Sequence, residues 1–476
     1  MSDQDVIDIK KLADETFRDH LSTVTGDGKR KWIYPTKPKG KLYKKRTVVA
    51  IFLYAIFFIT PFVYVHGRPL MLFNFPEGKF ILFGFAFWPQ DFFIFGLIML
   101  AGIIFIAIFT NAFGRIFCGW ICPQTLFMEM LFRRVDYWIL GDGPKQKMLA
   151  RSKWTKEKIR KYSLRYGLYL ILSFIISNFF LSYIIGMKEL EKIMLEPVSM
   201  HLGGFIAIAV FTLVFFSVYA FLREQVCTNI CPYGRLQGVL LDKNSVVVAY
   251  DYKRGEPRGK FKKDKQEDLG DCIDCFQCVN VCPTGIDIRN GTQLECINCT
   301  ACIDACDFMM EKVGRAKGLI RLDSENNIAD RIRFKFTTKS KAYSAVLTVI
   351  LVAIAALLIT RKNVDGTLMR TSGLLFQERG TDSISNLYNI KLTNKTMHPY
   401  TIELKPDGFN GRVELVGKSE IVLQPEQQVA ATFFIIIPRK SIEDRKQTVK
   451  VGLYEKDDKI NSMSSTFLGP MHRSDE

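Results

Sequence analysis

Eight cysteines between positions 272 and 306 follow one spacing, C-x-x-C-x-x-C-x-x-x-C, written twice. Three thiolates two residues apart can surround one iron–sulfur cube, whereas the fourth is directed toward a neighbouring cube. Zinc also binds four cysteines, but its sites usually use two separated pairs. The spacing therefore predicts two 4Fe–4S clusters with exchanged fourth ligands. Cluster I would be held by Cys272, Cys275, Cys278 and Cys306, and cluster II by Cys296, Cys299, Cys302 and Cys282.

The residue after the last cysteine differs between the two runs. Pro283 follows Cys282, whereas Asp307 follows Cys306, which weakens the turn of the second run but removes no ligand. Iron-bound thiolates persist in reducing compartments, so this stretch is expected to face the cytoplasm.

A second motif, C-x-x-x-C-P, also occurs twice. If the segment is helical, residues four apart place both sulfurs on one face, and the proline fits a new first turn or a break. Two facing pairs would supply four soft thiolates, which select Cu(I), iron–sulfur or zinc. A redox dithiol and a pair of buried apolar cysteines are the alternatives, and the occupant stays open. The cysteines are Cys118 and Cys122 in the first copy and Cys227 and Cys231 in the second.

The composition combines two features that soluble proteins rarely share. Of 476 residues, 48% are hydrophobic and 38 are Phe, yet the formal net charge is +17. Apolar spans with basic loops explain both features, whereas a nucleic-acid-binding protein would carry a separate basic domain. All twelve cysteines belong to the two motifs, so none is left for structural disulfides. The polar N-terminus predicts no cleavable signal peptide.

Five apolar stretches are long enough to cross a bilayer as helices. The first four form two pairs, within 47–126 and 162–236, and each pair ends in a C-x-x-x-C-P motif, like a parallel repeat. The aromatic pieces 70–75 and 80–88 are too short to cross and are expected at the outer interface. The predicted spans are Thr47–Val65, Asp91–Ala112, Tyr162–Ile185, Leu202–Leu222 and Ala342–Thr360.

Lysine and arginine are concentrated in alternate loops. By the positive-inside rule, the basic loops and the N-terminus lie in the cytoplasm and the chain after the fifth span lies outside the bacterial inner membrane. The redox argument on the iron ligands gives the same orientation. The basic loops are 29–46, 113–161 and 223–341, and the loops at 66–90 and 186–201 carry two basic residues each.

Short alternating runs from about residue 366 predict a periplasmic immunoglobulin-like β-sandwich without a disulfide. The predicted strands are Leu387–Thr393, Tyr400–Leu404, Arg412–Val416, Ala430–Ile437 and Thr448–Tyr454. The fold class is thus a multidomain membrane protein, with an α-helical bundle of about five spans, a bacterial-type two-cluster ferredoxin domain and an all-β domain. The predicted domains are a basic tail (1–46), a four-span membrane domain (47–241), the ferredoxin domain with linkers (242–341), the fifth span (342–360) and the β-sandwich (361–476).

Several weaker sequence signals for function have simpler structural interpretations. His66 and His201 could hold haem or copper at the outer face, although single interfacial histidines are the simpler interpretation. Asp91 is expected to cap a helix. The stretch 250–258 is expected to be a solvated linker. Met-His pairs at 397–398 and 471–472 could bind copper, with scattered surface residues as the default.

These motifs together resemble the FixG/CcoG/RdxA family of cytochrome c oxidase accessory proteins. The resemblance rests on both cysteine motifs, the W-P-Q-D-F sequence at 88–92, the Y-K-R-G-E-P-R sequence at 252–258 and the C-terminal β-domain. It implies an iron–sulfur membrane protein that helps to mature a cbb-type haem–copper oxidase by reducing Cu(II) to Cu(I), a cupric reductase. It also implies that the C-x-x-x-C-P cysteines are the catalytic and metal-binding residues.

Two other functions stay open. A quinol-linked electron conduit would resemble residues 47–310 without the β-domain, and a non-catalytic assembly scaffold would use its clusters only to hold the fold. Expected partners are membrane lipid, oxidase subunits or a copper chaperone or transporter, an unidentified electron donor and a second copy of the chain. Nucleic acid is not expected.

Overall fold

The structure is a computed structural model that describes most of the chain. The predicted tail up to residue 22, His66 and the pair at 471–472 lie outside the described residues. The described residues are 23–24, 29–65, 67–75, 78–88, 91–260, 269–332, 337–371, 373, 375–380, 382–417, 420–442 and 444–470.

Fifteen α-helices are assigned within this part of the chain, and three π-helical turns, 127–132, 218–222 and 226–230, adjoin them. The helices are α1 (Lys41–Ile59), α2 (Phe92–Phe113), α3 (Ile116–Trp120), α4 (Pro123–Leu126), α5 (Arg133–Ile139), α6 (Gly143–Arg151), α7 (Lys156–Ile185), α8 (Met187–Leu195), α9 (Leu202–Ser217), α10 (Pro232–Leu240), α11 (Tyr252–Gly255), α12 (Gln277–Asn280), α13 (Ala301–Lys312), α14 (Glu325–Asp330) and α15 (Thr338–Ile359).

Sixteen strands complete the described elements. They are β1 (Tyr64–Val65), β2 (Arg68–Pro69), β3 (Met71–Asn74), β4 (Lys79–Leu82), β5 (Phe85–Phe87), β6 (Val247–Tyr250), β7 (Ile320–Asp323), β8 (Val364–Arg370), β9 (Gln377–Arg379), β10 (Ser383–Asn394), β11 (Tyr400–Asp407), β12 (Arg412–Leu415), β13 (Ile421–Leu423), β14 (Gln428–Pro438), β15 (Lys446–Glu455) and β16 (Asp458–Leu468).

Five helices are long and apolar enough to cross a membrane, which confirms the five predicted spans. Their limits are Lys41–Phe62, Phe92–Phe113, Lys156–Ile185, Leu202–Leu222 and Thr338–Ile359. The first and third begin about six residues earlier than predicted, because the lysines and arginines that flank an apolar span are themselves good helix formers. Thr155 caps the third by accepting a hydrogen bond from the Lys158 amide.

The contacts divide the chain into two compact units. The first comprises the described residues up to Val63 together with Met99–Ile350, and the second comprises Tyr64–Ile98 and Leu351–Glu476. The first unit thus contains both cysteine motifs and most of the spans. The predicted domain boundaries at 46, 241, 341 and 360 stay predictions.

The second unit contains the predicted immunoglobulin-like sandwich. One sheet has the order β12-β14-β10-β8, with β9 also paired to β10, and the other has the order β13-β11-β15-β16. All five predicted strands are present, and β8, β9, β13 and β16 were missed. Alternate side chains of both sheets fill the core, in which Leu392, Phe433, Leu453 and Phe467 are fully buried.

The two aromatic pieces between the first spans form an antiparallel sheet, β3-β4-β5, in this second unit. Asp91, which follows this sheet, accepts a hydrogen bond from the Trp88 amide at 3.3 Å. It is also the centre of a buried ion network, with Lys395 Nζ at 2.6 Å and Arg361 at 2.5 Å. Asp91 thus takes part in an ion network, and its predicted role as a helix cap stays a prediction.

Candidate iron–sulfur and thiol centres

Two cavities in the first unit are lined by four and by five cysteines, and Cys278 is the one cysteine that lines both. Their other walls are mainly aliphatic and aromatic. This partition is the one that the crossed spacing predicts, and the ligand assignment itself stays a prediction. The first cavity is lined by Cys272, Cys275, Cys278 and Cys306, and the second by Cys282, Cys296, Cys299 and Cys302.

The backbone enters the left-handed region at equivalent places in each cysteine run. Asp274 and Asn298 both have φ 51°, and Phe276 and Thr300 have φ 55° and 64°. Phe and Thr rarely adopt this conformation, which persists only where the surroundings fix it. The repeated turns curl the chain around each cavity and lead into α12 and α13, which carry further cysteines.

The chemistry of the thiols fits bound iron. All twelve cysteines are free of disulfide bonds. Burial raises the pKa of the Cys278 thiol and of the Cys306 thiol to about 12. Because iron binds the thiolate form, the metal charge must stabilise these buried anions. Four sulfurs around each apolar cavity are a suitable donor set for a 4Fe–4S cluster.

The stretch after residue 246, expected to be a solvated linker, instead forms part of the wall of the first cavity. Strand β6 pairs with β7, and all four of its residues are buried. The Tyr250 hydroxyl contacts the Cys272 sulfur and lies 3.2 Å from the Glu256 carboxylate. Gly255 packs so closely on Tyr250 that a Cβ there would lie 2.2 Å from the hydroxyl. The linker prediction is wrong because its β-partner lies about seventy residues away.

Replacing Tyr250 with Phe is expected to lower the reduction potential of cluster I by tens of millivolts, since hydrogen bonds to ligand sulfurs stabilise the reduced cluster. An EPR-monitored redox titration of purified protein would measure both cluster potentials. Cluster II, on the other side of Cys278, should keep its potential. Equal potentials for cluster I in both proteins would contradict the role of the hydroxyl.

Neither C-x-x-x-C-P motif is one continuous helix. Cys118 lies in α3, which ends at Trp120, whereas Cys122 precedes α4 and occupies its N-cap position. Cys227 lies in a π-helical turn, and Cys231 in turn precedes α10. In both copies the proline is the first residue of the new helix, as the sequence predicts. The single helical face considered for each pair is therefore wrong, because the helix breaks between the two cysteines.

The four thiols of these motifs nevertheless lie close enough to influence one another. Cys118 interacts electrostatically with Cys122 and Cys231, and Cys227 interacts with the other three. Burial raises the pKa of Cys118 to about 11 and of Cys227 to about 12. A redox dithiol needs a lowered thiol pKa, so these raised values argue against that role, and a metal site and buried apolar cysteines both stay open.

Polar side chains hold these sulfurs in place. The Cys118 sulfur lies 2.8 Å from the Gln237 side-chain oxygen, and the Cys227 sulfur lies 3.7 Å from the Thr125 hydroxyl. Among the described residues, no three His, Cys, Asp or Glu side chains converge tightly enough for a single metal ion. A metal at this site would therefore draw the thiols together or be a multi-iron centre.

The first C-x-x-x-C-P turn packs directly on the cluster II loop. A Cβ on Gly119 would lie 2.4 Å from the Ile297 carbonyl oxygen, so only glycine permits this approach. Cys118 shares a hydrophobic cluster with Cys299 and with the partly buried Cys302. The membrane-proximal thiols and cluster II are thus neighbours in one packed core.

Two buried arginines flank this junction, and neither forms an ion pair with a carboxylate of the described residues. Arg46 and Arg115 are 2% and 3% exposed. Arg46 donates to the Gly119 carbonyl at 2.7 Å, and Arg115 donates to the Gln237 oxygen at 3.3 Å and to the Leu294 carbonyl. An uncompensated buried cation is costly, so the two guanidinium groups complement an anionic centre of thiolates and metal. The sequence indicated them only as positive charges near the membrane.

A buried ion network fixes the turn that precedes Cys227. Asp136 accepts hydrogen bonds from Arg165 at 2.6 Å, from Arg223 at 2.9 Å and from the Tyr169 hydroxyl at 2.9 Å. Arg223 has φ 52°, a left-handed conformation that joins the fourth span to the cysteine turn. No sequence spacing links these residues, which come from three separate helical segments.

The remaining histidine and methionine signals gain no support as metal sites. His201 lies at the start of α9, and its ring nitrogen is 2.5 Å from the Glu196 carboxylate. Met397 and His398 are exposed residues of a loop in the second unit. The haem or copper role of these residues stays a prediction.

Comparisons with known proteins identify the same parts. A family model described as "4Fe-4S dicluster domain" matches residues 222–325, one described as "4Fe-4S binding domain" matches 92–154, and one for the Ig-like fold at the C-terminal of FixG matches 354–470. The dicluster match covers the eight ferredoxin cysteines and the second C-x-x-x-C-P motif, and the 4Fe-4S binding match covers the first C-x-x-x-C-P motif.

Three relatives are similar over different lengths. RdxB of Cereibacter sphaeroides is 35% identical over 77% of this chain and 80% of its own. The nitrogen fixation protein FixG of Rhizobium meliloti is 29% identical over 86% of this chain and 87% of its own. YccM of Escherichia coli, whose name describes electron transport, is 25% identical over 37% of this chain and 43% of its own.

Fold, cysteine cavities and matches define a membrane protein of the iron–sulfur electron-transport class. Within this class, the chain belongs to the FixG/RdxA family.

Proposed function

We propose that this protein is a cupric reductase of cbb-type oxidase assembly, in which two 4Fe–4S clusters deliver single electrons to the four C-x-x-x-C-P thiols. The observation that carries the proposal is the direct packing of Gly119 on the Ile297 carbonyl. This contact joins the thiol site to cluster II. Reduction of one Cu(II) to Cu(I) consumes one electron, which a reduced cluster supplies on returning to its oxidised form.

The order of the centres supports a linear route. Cys278 borders both cluster cavities, so cluster I and cluster II are adjacent. Cys118 packs beside Cys299 of cluster II. Electrons would therefore enter at cluster I, pass through cluster II and leave at the thiols, whose soft sulfur atoms prefer Cu(I) as product.

We place this chemistry at the cytoplasmic face of the bacterial inner membrane, on the basis of the basic loops. The β-sandwich would then be periplasmic, where it could contact oxidase subunits or a copper chaperone. Copper outside the membrane would require electrons to cross an apolar core of ~30 Å, so copper is met on the cytoplasmic side.

The test compares Cu(II) reduction by cluster-loaded protein, by protein stripped of iron under anaerobic conditions and by Cys278→Ala protein. Only the loaded protein should form Cu(I), measured with a Cu(I)-specific chelating dye and a chemical electron donor. Equal activity after stripping would reject the proposal. If Cys278→Ala lost protein level and oxidase assembly together, the scaffold function would be favoured, whereas a folded variant that lost only reduction would exclude it.

A second function is favoured by one observation. The family model described as "4Fe-4S binding domain" covers Cys118 and Cys122. The four thiols could accordingly hold a third cluster, and the protein would then be an electron conduit between a quinol and a respiratory partner. Rapid reduction of the clusters by a quinol analogue, without Cu(II) reduction, would favour this function.

A further inference from the structure

A cleft of about 850 Å³ lies beside the ligand helix α13, between that helix and the segment that leads into α1. Its volume is within the range of ligand and partner pockets. Six lysines and four carboxylates line it, with Phe308 on its α13 wall.

Each carboxylate in the cleft has a hydrogen-bond or ion-pair partner, but those bonded to amides keep their negative charge, so the six lysines leave the cleft an excess of two positive charges. Asp304 has a structural role, because its carboxylate caps the start of the first span and so joins that span to α13. The pairs are Asp304 with the Leu42 and Tyr43 amides at 3.1 and 2.8 Å, Asp142 with the Lys37 and Gly143 amides at 2.6 and 2.8 Å, Asp307 with the Gly318 amide at 2.8 Å, and Glu311 with Lys317 at 2.9 Å.

Four lysines of the cleft form no ion pair with any described residue: Lys37, Lys39, Lys41 and Lys45. Phe308, which is 56% exposed, presents an apolar surface among them, with the Lys312 ammonium 4.4 Å from its ring centroid. An exposed aromatic side chain within a group of unpaired lysines suits a brief, charge-steered encounter with an acidic surface.

The cleft also lies next to the cluster ligands. Gln277 and Ala305 line it, and their chain neighbours Cys278 and Cys306 line the cluster I cavity. An electron carrier seated here would be separated from cluster I by little more than the ligand backbone. Weak electron-transfer encounters use small interfaces of this kind.

The chemistry of the cleft does not suit a nucleotide. Phosphate sites use free backbone amides or the fixed fork of arginine. Here the amides at the start of α1 are taken by Asp304, and no arginine lines the cleft. Flexible lysines provide long-range attraction without fixing a small ligand, which favours a protein partner.

We propose that this cleft is the docking site of a small, acidic, soluble one-electron carrier protein that reduces cluster I. The inference rests on the proposed electron-transfer function and names its electron donor by class. Electrostatic steering would raise the association rate by about tenfold or more at low salt. The carrier gives up one electron, and cluster I gains it.

The experiment uses purified full-length protein in nanodiscs and an acidic plant-type 2Fe–2S ferredoxin as the probe. Stopped-flow kinetics give the second-order rate constant of electron transfer between ferredoxin and cluster I at several NaCl concentrations. The reaction is started in whichever direction the two reduction potentials favour. The variants are Lys37→Glu/Lys39→Glu and, as a matched control with exposed lysines outside the cleft, Lys147→Glu/Lys153→Glu. The reduced methyl viologen cation serves as a second reductant.

We expect the rate constant with ferredoxin to fall about tenfold in the cleft variant, to fall with salt in wild type and to change less than twofold in the control. Methyl viologen should reduce all three proteins equally fast.

No electron exchange with ferredoxin, or an unaffected cleft variant, would overturn the inference. So would a rate loss seen only with phosphatidylglycerol in the nanodisc, which would assign the lysines to lipid headgroups. If methyl viologen also failed to generate reduced clusters, the proposed function itself would fail.

Discussion

Exchanging Cys118 and Cys227 for Ala should abolish Cu(II) reduction while leaving both ferredoxin clusters in place. Cys118 is buried and Cys227 is partly buried, and burial raises their pKa values to about 11 and about 12. Removing one from each motif halves the number of sulfur ligands and breaks both pairs, which should weaken binding of a soft metal. The measurement is anaerobic iron, sulfide and copper analysis together with low-temperature EPR after dithionite, followed by the Cu(I) assay.

Wild type and the variant should both contain about eight irons, with copper bound only by wild type. About twelve irons in wild type, falling to about eight in the variant, would instead assign a third cluster to the thiols and favour the electron conduit. The matched control is Cys118→Ser/Cys227→Ser, whose smaller change in volume separates loss of ligands from loss of packing. Full Cu(II) reduction by both variants would contradict the thiol site.

Replacing Arg115 with Met should lower the reduction potential of cluster II by about 60 mV, equal to tenfold in a one-electron equilibrium. Its guanidinium group is buried, forms no ion pair with any carboxylate in the described part of the chain, and lies near both Cys118 and Cys296. A positive charge stabilises the extra electron of the reduced cluster, so its removal makes reduction harder. Electron flow to the thiols should slow or stop accordingly.

An EPR-monitored titration would measure this change, and Arg115→Lys is the control that keeps the charge. The lysine variant should retain most of the wild-type potential of cluster II, and both variants should retain that of cluster I. The arginine beside cluster I differs, because Arg289 is already paired with Asp274 and Asp287. Identical cluster II potentials in Met and Lys variants would show that shape, not charge, is what Arg115 contributes.

Those parts of the fold that depend on local pattern were predictable from the sequence. Apolar length located all five spans, and alternation located five strands of the sandwich. The four missed strands are less regular: β9 and β13 have three residues each, and β8 and β16 carry polar residues on both faces. The stretch 250–258 was misjudged as a solvated linker because the burial of Tyr250 depends on the pairing of β6 with β7, which no local pattern encodes.

The candidate site also divides into a part that follows from local sequence pattern and a part that depends on distant residues. Cysteine spacing was sufficient to group the eight ferredoxin sulfurs, since the chain between them is short. The surroundings of the C-x-x-x-C-P thiols were not predictable, because Arg46, Arg115 and Gln237 come from three distant segments. Their one visible signal was that Arg46 and Arg115 are basic residues next to apolar spans, which the positive-inside rule already explained.

The close packing of Gly119 against the Ile297 carbonyl has a consequence for how electrons move. Some redox proteins carry a cofactor domain on a tether and swing it between donor and acceptor. Here the backbones of the thiol turn and the cluster loop touch, with no room for even a methyl group between them. Under the proposed function, the last step would be tunnelling between fixed centres, and only the soluble donor and the departing copper would have to move.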